Sequence, residues 1–559
     1  MDIRNKLNTP PVKWTFFLVI FCIVAYFSVF AVLNIFGFTY FCDPDTYTDT
    51  CVSKLIWDQK TLFPDGWTYG NQFYVIATPV LAALFYGITG SINWSMVLAT
   101  ETMSILILLS FFWVLRAITK EKLMSVCCCL LLIASVIAPS GPYSYNAQLF
   151  FLQASYYACY LITLFVVYGD YIRAFQTTKI RPVALLLSML LSFATGMQSL
   201  RQTVIMVLPI LACECFLAFR RLVLREPLWN ATIRASIFRA ICYAVANISG
   251  YLLIKQMNVP HIAIIGGLTP VPITSILSRL PDIWNASLRI TGLIYVGDPN
   301  TNAFFGFFAV LQLLLCIGAG IIWLVELKQP ITSLKLCWLL SLVGIVGVCL
   351  SGLLLHIGIR DIYLFLYYPF VAFSGLLLLD KITSSPKKCV VAVLLCILSL
   401  GNLFLGYRPY AEQALQNSPT LPGKAFRLAR AYGYPSEAWD SPNFVDSRNM
   451  ANWLLHEGYA YTYSEWILIP RIAVHSDGRL IAGCWPLQKS MYEIIPYLNP
   501  LNIYGPEDNA KAVYIFTPND ESYGLQLAEE QGISMTKVAE FGQYRAYTSS
   551  APLMHFATP

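Results

Sequence analysis

The sequence predicts a polytopic α-helical membrane protein of about eleven spans, followed by a small extracytoplasmic α/β domain at the C-terminus. Composition is the first observation: 57% of the 559 residues are hydrophobic and 12% are charged, whereas soluble proteins carry about a quarter charged residues. The second is that apolar runs long enough to cross a bilayer recur as far as residue 405. The third is that residues 406–559 have ordinary polarity, with short helix and strand patterns.

The apolar runs can be taken in chain order. The predicted spans are 14–36, 94–116, 123–139, 147–168, 183–199, 203–219, 238–256, 303–325, 336–355, 363–380 and 389–405. One further run, 72–89, contains Pro79 and Gly87. Counting it as a span would turn basic loops outward, so we predict an amphipathic helix lying along the membrane surface.

Lys and Arg residues are concentrated in short loops, which sets the orientation. Cytoplasmic loops are predicted at 116–122, 170–182, 220–237, 326–335 and 381–388. The net charge of +6 therefore reflects orientation and gives no indication of a nucleic-acid partner. The outer face receives 37–93, 140–146, 199–202, 257–302, 356–362 and everything after 406. A bacterial plasma (inner) membrane is the preferred location, with the C-terminal domain outside.

Two domains follow from this pattern: a transmembrane domain, 1–405, with an outer loop at 37–93, and an extracytoplasmic α/β domain, 406–559. Within the second domain, helices are predicted at 446–457 and 523–531. Strands are predicted at 459–463, 467–474, 512–516 and 544–548.

An acidic stretch follows the first span and contains Asp43, Asp45 and Asp49. Carboxylates beside a bilayer are costly unless they have a partner or a function, and a carboxylate can deprotonate an attacking hydroxyl. Asp45 is the preferred catalytic base; helix capping is the alternative for all three. Cys42 and Cys51 flank this stretch, and either a disulfide or two free thiols fit the spacing.

Arg201 and Arg360 lie in predicted outer turns, against the positive-inside rule. Such a charge calls for a partner or an anionic ligand, and phosphate is the obvious candidate. The alternatives are snorkelling of Arg201 to lipid headgroups and pairing of Arg360 with Asp361.

Other polar side chains in outer loops are candidates for substrate binding. Tyr143, Tyr145 and Asn146 could line a sugar pocket, although an interfacial aromatic belt explains the tyrosines equally well. His356 is a lone imidazole at a helix end. No phosphate-binding loop, Cys/His metal spacing or Gly-x-Ser-x-Gly motif occurs in the sequence.

The layout resembles the GT-C superfamily of integral membrane glycosyltransferases, and within it the branch of protein O-mannosyltransferases and aminoarabinose transferases. The likeness is carried by the first span, the Asp-bearing outer loop, the many spans and the outer C-terminal domain. Pro44-Asp45-Thr46-Tyr47 matches the Asp of that branch, but Thr46 stands where Glu is usual. Asp43 or Asp49 is then the candidate for a second carboxylate.

The resemblance implies a hexosyl or pentosyl transferase with a polyprenyl-phosphate-linked sugar as donor and a glycan, lipid or protein as acceptor. Asp45 would deprotonate the acceptor hydroxyl, and the sugar would transfer with inversion. Arg201 and Arg360 would neutralise the leaving phosphate. One firm carboxylate favours chemistry without a cofactor, and a divalent cation at the clustered Asp residues is the alternative.

Two other classes of function compete with this interpretation. A transporter or flippase of lipid-linked saccharides would carry ionisable residues within the spans and repeated halves. The interiors of the predicted spans are nearly free of charge, with Glu101 and Glu214 as exceptions, and no repeat is evident. A non-catalytic envelope-assembly scaffold is the third class.

Overall fold

The computed structural model describes residues 10–41, 44–65, 67, 69–70, 72–139, 150–152, 157–177, 181–227, 229–259, 269–355, 358–417, 442–465, 468–484, 511–518 and 520–553. The chain divides into two compact units. The helical unit comprises Met1–Leu33, Thr102–Met257 and Ala263–Gln413; the mixed unit comprises Asn34–Glu101, Asn258–Ile262 and Ala414–Pro559.

Helices make up most of the described residues before 418. They are α1 Pro10–Phe41, α2 Pro44–Gln59, α3 Thr78–Thr89, α4 Ile92–Ile118, α5 Lys122–Ala134, α6 Ala158–Arg173, α7 Pro182–Gln198, α8 Leu208–Leu224, α9 Ala231–Gln256, α10 Ile273–Ile276, α11 Leu280–Thr291, α12 Ala303–Val325, α13 Ser333–Leu354, α14 Tyr367–Asp380, α15 Ser385–Asn402 and α16 Arg408–Asn417. Single π-helical turns, Thr203–Val207 and Leu403–Tyr407, precede α8 and follow α15.

Among the described residues, eight helices are long and apolar enough to cross a membrane. They are Pro10–Phe36, Ile92–Ile118, Thr203–Leu224, Ala231–Gln256, Ala303–Val325, Ser333–Leu354, Asp361–Asp380 and Ser385–Glu412. The chain is therefore a multi-pass membrane protein.

The predicted count of about eleven spans is not confirmed. Three of the predicted spans correspond to α5, α6 and α7, which have 13, 16 and 17 residues, whereas a crossing helix needs about 20. The apolar run at 72–89 forms the 12-residue helix α3, which is likewise too short to cross.

Within the helical unit, glycines let α7 and α9 approach closely. A Cβ added at Gly196 would lie 2.0 Å from the carbonyl oxygen of Asn247, and one at Gly250 would lie 2.1 Å from that of Phe193. The Asn247 side chain donates to the Ser192 carbonyl at 2.9 Å and accepts from the Thr203 hydroxyl at 2.6 Å. Small residues and buried amide bonds of this kind hold helices together in lipid, where burial of apolar surface adds little.

The short helix α5 ends where a neighbouring side chain satisfies its carbonyl groups. The amide nitrogen of Asn402 lies 3.3 Å from the Ala134 carbonyl and 3.2 Å from that of Val136. The same nitrogen donates to the hydroxyl of Tyr26, which donates in turn to the Ser399 carbonyl at 2.8 Å. Because these carbonyls have protein partners, the helix can stop while still buried.

The mixed unit contains a five-stranded sheet in the order β2-β1-β3-β5-β4. Its elements are α17 Pro442–His456, β1 Tyr461–Ser464, α18 Ile469–His475, β2 Ile481–Cys484, β3 Ala512–Phe516, α19 Glu521–Glu530, β4 Met535–Phe541 and β5 Tyr544–Ser549. Strand β1 runs parallel to β2 and β3, while β5 runs antiparallel to β3 and β4. The predicted α/β character of the C-terminal region is confirmed.

One predicted strand of this region is wrong. Residues 467–474 were expected to be extended, but Ile469–His475 is a helix with Pro470 in its first turn, a position where proline favours helix initiation. Ile469, Ile472 and Ala473 are buried at helical spacing. Strands β2 and β4 were not predicted.

Helices α2 and α3 belong to the mixed unit and share a core with its C-terminal part. Tyr47 and Cys51 of α2, Ala82 of α3, and Ile469 and Val474 of α18 lie in one buried apolar cluster. The helix that carries the acidic motif is therefore held by packing against α18.

Candidate active site

The acidic motif lies at the start of α2. This helix begins at Pro44, so Asp45 is its second residue; proline is favoured in a first helical turn, where its missing N–H has no role. Asp43 and Cys42 lie outside the described residues. Asp49 follows Asp45 by about one helical turn.

Asp49 is fully buried, with 0% of its surface exposed. Its carboxylate accepts a hydrogen bond from the hydroxyl of Tyr74, which is 6% exposed. The ring of Tyr69 packs edge-on against Tyr74, with centroids 5.3 Å apart. Burial, with a smaller contribution from the Asp49 charge, raises the pKa of Tyr69. Asp49 thus ties α2 to the segment that precedes α3.

Cys51 is a buried free thiol. Its Sγ lies 3.9 Å from the carbonyl oxygen of Pro470, within the packing of α2 against α18. Burial, assisted by the nearby Asp49 charge, raises the pKa of the Cys51 thiol. Of the two sequence alternatives for this cysteine, the structure has the free thiol.

Two side chains of α18 that sequence reasoning missed lie beside α2. The guanidinium of Arg471 is 5.8 Å from the centre of the Tyr47 ring, and the His475 ring is 6.1 Å from it. Burial, together with the charges of Arg471 and Arg448, lowers the pKa of His475 to about 3. Arg471 and His475 escaped notice because 467–474 was interpreted as a strand; Pro470 is the signal that could have indicated a helix.

Arg201 lies in the helical unit, in the turn between α7 and the π-helical turn that precedes α8. Its guanidinium carbon is 5.1 Å from the ring centre of Tyr157 and 5.3 Å from that of Tyr363. The backbone N–H of Arg201 donates to the Ser199 hydroxyl at 3.2 Å, and Ser199 is hydrogen-bonded to the Tyr160 hydroxyl at 2.8 Å. The turn is thereby fixed, and the half-buried arginine is held against two aromatic rings.

Arg360 is exposed and immediately precedes a 3₁₀ turn, Asp361–Leu364. Its carbonyl oxygen accepts a hydrogen bond from the Tyr363 N–H at 3.0 Å. Tyr363 thus contacts the Arg201 guanidinium through its ring and the Arg360 carbonyl through its backbone N–H. The Arg201 guanidinium is of the type that holds a phosphate.

The remaining candidates from the sequence lie outside the described residues. These are Tyr143, Tyr145, Asn146 and His356. Within the described part of the chain, no group of three or more His, Cys, Asp or Glu side chains is placed to hold a metal ion.

Comparison with known proteins identifies the fold. No protein-family model and no curated protein matches the sequence. The structure matches that of ArnT from Cupriavidus metallidurans bound to undecaprenyl phosphate, at a TM-score of 0.52 and 12% identity over 96% of this chain and 98% of that chain. The apo form of ArnT covers the same shares at 12% identity and a TM-score of 0.49. The apo oligosaccharyltransferase of Archaeoglobus fulgidus matches 94% of this chain and 69% of its own at 10% identity and a TM-score of 0.45.

The fold assignment rests on the first of these structures, since scores below 0.5 do not establish a common fold. The match to it spans almost the whole length of both chains. At such low identity it establishes architecture and leaves chemistry to be argued from the residues. The chain has the fold of that structure, in agreement with the architecture expected from its sequence.

Proposed function

We propose that the chain is a membrane glycosyltransferase that moves a sugar from a polyprenyl-phosphate-linked donor to a glycan, lipid or protein acceptor on the extracytoplasmic face of the plasma (inner) membrane. The observation that carries the proposal is the fold shared with ArnT, whose structure contains undecaprenyl phosphate. Fold alone does not fix chemistry, so the proposal also depends on the acidic motif of α2 and on Arg201 and Arg360.

In the proposed reaction the acceptor oxygen attacks the anomeric carbon as the bond from that carbon to the donor phosphate breaks. Attack from the side opposite the phosphate inverts the configuration. The phosphate gains negative charge as it leaves, and preorganised cations stabilise such a charge most in the transition state. Arg201, whose guanidinium lies against the Tyr363 ring, and Arg360, whose backbone carbonyl bonds the Tyr363 N–H, are proposed for this role.

Asp45 is the proposed base that takes the proton of the acceptor hydroxyl. Asp49 is proposed to act through α2, because it is fully buried and accepts the Tyr74 hydroxyl bond. We therefore propose Asp49 as a positioning residue, while a second catalytic carboxylate at Asp43 or Asp49 stays a prediction.

The proposed orientation follows from charge. Arg116, Arg220, Arg221, Lys335 and Lys388 lie at the ends of helices or in the loops that were predicted to be cytoplasmic. The positive-inside rule then directs the opposite ends, including the Arg201 turn, to the extracytoplasmic face.

The decisive test is Asp45→Asn, with Asp58→Asn as the matched control on the same helix. Asp58 is exposed and pairs with Lys54 one turn earlier. The purified protein in proteoliposomes would receive a polyprenyl-phosphate sugar and an acceptor extract, and release of polyprenyl phosphate would be followed by mass spectrometry. Loss of a general base is expected to lower turnover by about 10²–10⁴-fold, while Asp58→Asn keeps wild-type turnover. Equal turnover in both variants would remove Asp45 from the mechanism.

Arg201→Gln tests the second half of the proposal, with Arg116→Gln as its control. Arg116 is an exposed arginine whose guanidinium bonds the Lys120 carbonyl at 3.2 Å. Loss of one donor to a developing charge is expected to lower kcat by about 10²–10³-fold. A rise in KM alone would mean that Arg201 binds the donor without stabilising the departing phosphate.

A further inference from the structure

A cavity of about 500 Å³ lies in the helical unit where α6, α8 and α13 end or begin. Phe175 lines it just after α6, and Arg220 and Arg221 line it from the last turn of α8. Thr332 and Ser333 line it at the start of α13. This volume is within the range of small-molecule sites, about 300–1,000 Å³. Two of the converging helices, α8 and α13, belong to the helices long enough and apolar enough to cross a membrane, so the cavity lies at the level of a membrane boundary.

Arg220 builds one wall of the cavity. Its guanidinium donates to three successive backbone carbonyls, at 3.3 Å to Leu327, 3.2 Å to Lys328 and 2.9 Å to Gln329. It also lies 3.5 Å from the carboxylate of Glu226, which lines the cavity too. Arg220 is therefore held by the protein, and its charge is balanced by Glu226.

Arg221 differs from its neighbour in this respect. In the described part of the chain, no carboxylate oxygen lies within 4.0 Å of its side-chain nitrogens. It is partly exposed and lines the cavity. Its charge acts on Glu214, two turns earlier on α8, but makes no contact ion pair in the described residues, so it can contact a ligand. The cavity also meets the N-terminal end of the 22-residue helix α13, where Thr332 and Ser333 lie. The helix dipole adds positive potential there, which favours an anion.

The rest of the surroundings is apolar. Leu217 and Leu336 complete the lining with Phe175. In the adjoining helix ends, Leu222 and Val325 are 62% and 78% exposed. In a multi-pass membrane protein, exposed apolar side chains on spanning helices face acyl chains. A ligand that fits both features carries an anionic head and a hydrocarbon tail.

We propose that this cavity binds the phosphate of an anionic phospholipid headgroup through Arg221 and the N-terminal end of α13. Basic pockets between spanning helices suit such headgroups, because the charge is satisfied at the boundary while the tails remain in lipid. Phosphate is the chemistry recognised, and a free phosphate ion is the other source of it. The site is independent of the proposed glycosyl transfer, since none of its residues takes part in that reaction.

The test measures lipid binding to the full-length protein in detergent by native mass spectrometry and by thermal denaturation. The probes are phosphatidylglycerol, phosphatidylcholine and inorganic phosphate. Phosphatidylglycerol is expected to raise the Tm more than phosphatidylcholine does, and to remain bound in the spectrometer. Arg221→Gln should weaken its binding about five- to tenfold, the effect of one charge near the headgroup plus one hydrogen bond. Stabilisation by millimolar phosphate equal to that by phosphatidylglycerol would overturn the lipid assignment.

The matched control is Arg234→Gln, which removes the same charge from an exposed position in the first turn of α9 that does not line the cavity. Arg221→Lys keeps the charge and is expected to restore most of the binding, which separates a lost contact from a folding defect. Equal weakening by Arg221→Gln and Arg234→Gln would overturn the proposal, because it would reduce the effect to general surface charge.

Discussion

The hydrogen bond from Tyr74 to Asp49 allows a sharp test of how α2 is held. Both partners are withdrawn from water, at 6% and 0% exposure, so solvent screening of the bond is slight. A bond to a charged acceptor contributes about 1.5–3 kcal/mol, which corresponds to a factor of roughly 10 or more in a local opening equilibrium. Tyr74→Phe removes this bond and keeps the ring.

Cys51 provides the assay, since it is a buried free thiol one half-turn after Asp49. Maleimide labelling under native conditions, resolved peptide by peptide, reports how often α2 opens. Tyr74→Phe is expected to speed labelling of Cys51 about tenfold or more and to leave the buried Cys128 of α5 unchanged. Tyr523→Phe, which removes a hydroxyl from a 38% exposed tyrosine of the mixed unit, is the control.

A double-mutant cycle with Asp49→Asn completes the argument. If the bond holds α2, the two substitutions together accelerate labelling by less than the product of their separate effects. Labelling of Cys51 at the same rate in Tyr74→Phe and Tyr523→Phe would refute the reasoning, and Asp49 would then have no demonstrated role in positioning Asp45.

Two further predictions concern buried charge. Burial and the charges of Arg471 and Arg448 lower the pKa of His475 to about 3 in the folded state. As the pH falls below about 6.5, His475 therefore takes up a proton in the unfolded chain but not in the folded one. The free energy of unfolding is thus lower at acidic pH than above pH 6.5, by about 2 kcal/mol at pH 5. His475→Gln should flatten the dependence of Tm on pH from 7 to 5, and an unchanged slope would contradict the prediction. Asp170 and Arg239 form an ion pair at 3.4 Å with 1% exposure each. Asp170→Asn or Arg239→Gln alone should destabilise by about 3–5 kcal/mol, the double variant less, and denaturation midpoints that place the double variant lowest would argue against the pair.

Spans bounded by polar residues were predicted well from the sequence. The predicted span 303–325 coincides with α12, because Asn302 caps its start, accepting from the Phe304 N–H at 2.9 Å, and Glu326 ends it. Both signals are local: a capping side chain and a charge that lipid would not accept. The strand β3 was likewise located to the residue, as five consecutive apolar positions that are all buried.

Helix ends set by distant side chains could not be predicted in this way. The apolar run at 123–139 suggested a full span, yet α5 stops at Ala134 because Asn402, 268 residues later, bonds the carbonyls there. Pro139 at the end of the run predicts that the helix ends before it, but the contact with Asn402 cannot be read from the run. Similarly, the close approach of α7 and α9 depends on Gly196 meeting Asn247, and a sequence does not show which helices will face each other.

The residues of the candidate site likewise fall into those that local sequence indicates and those that depend on tertiary packing. The sequence indicates Asp45 and Asp49 because carboxylates beside a bilayer are costly. It indicates Arg201 because the positive-inside rule disfavours a cation in an outer turn. Arg471 and His475 break no such rule in a polar domain, and their place beside Tyr47 depends on the packing of α18 against α2.

Thr46 stands where the resembled branch carries Glu, and its surroundings account for the difference. Thr46 is 4% exposed, and its carbonyl oxygen accepts the Thr50 hydroxyl at 2.8 Å. A glutamate in that buried position would need a dedicated partner for its charge. Asp49 lies three residues later on the same face of the helix. At that position a buried carboxylate has such a partner, because it accepts a hydrogen bond from the Tyr74 hydroxyl. We therefore expect Asp49 to hold the helix, with the proposed proton transfer left to Asp45.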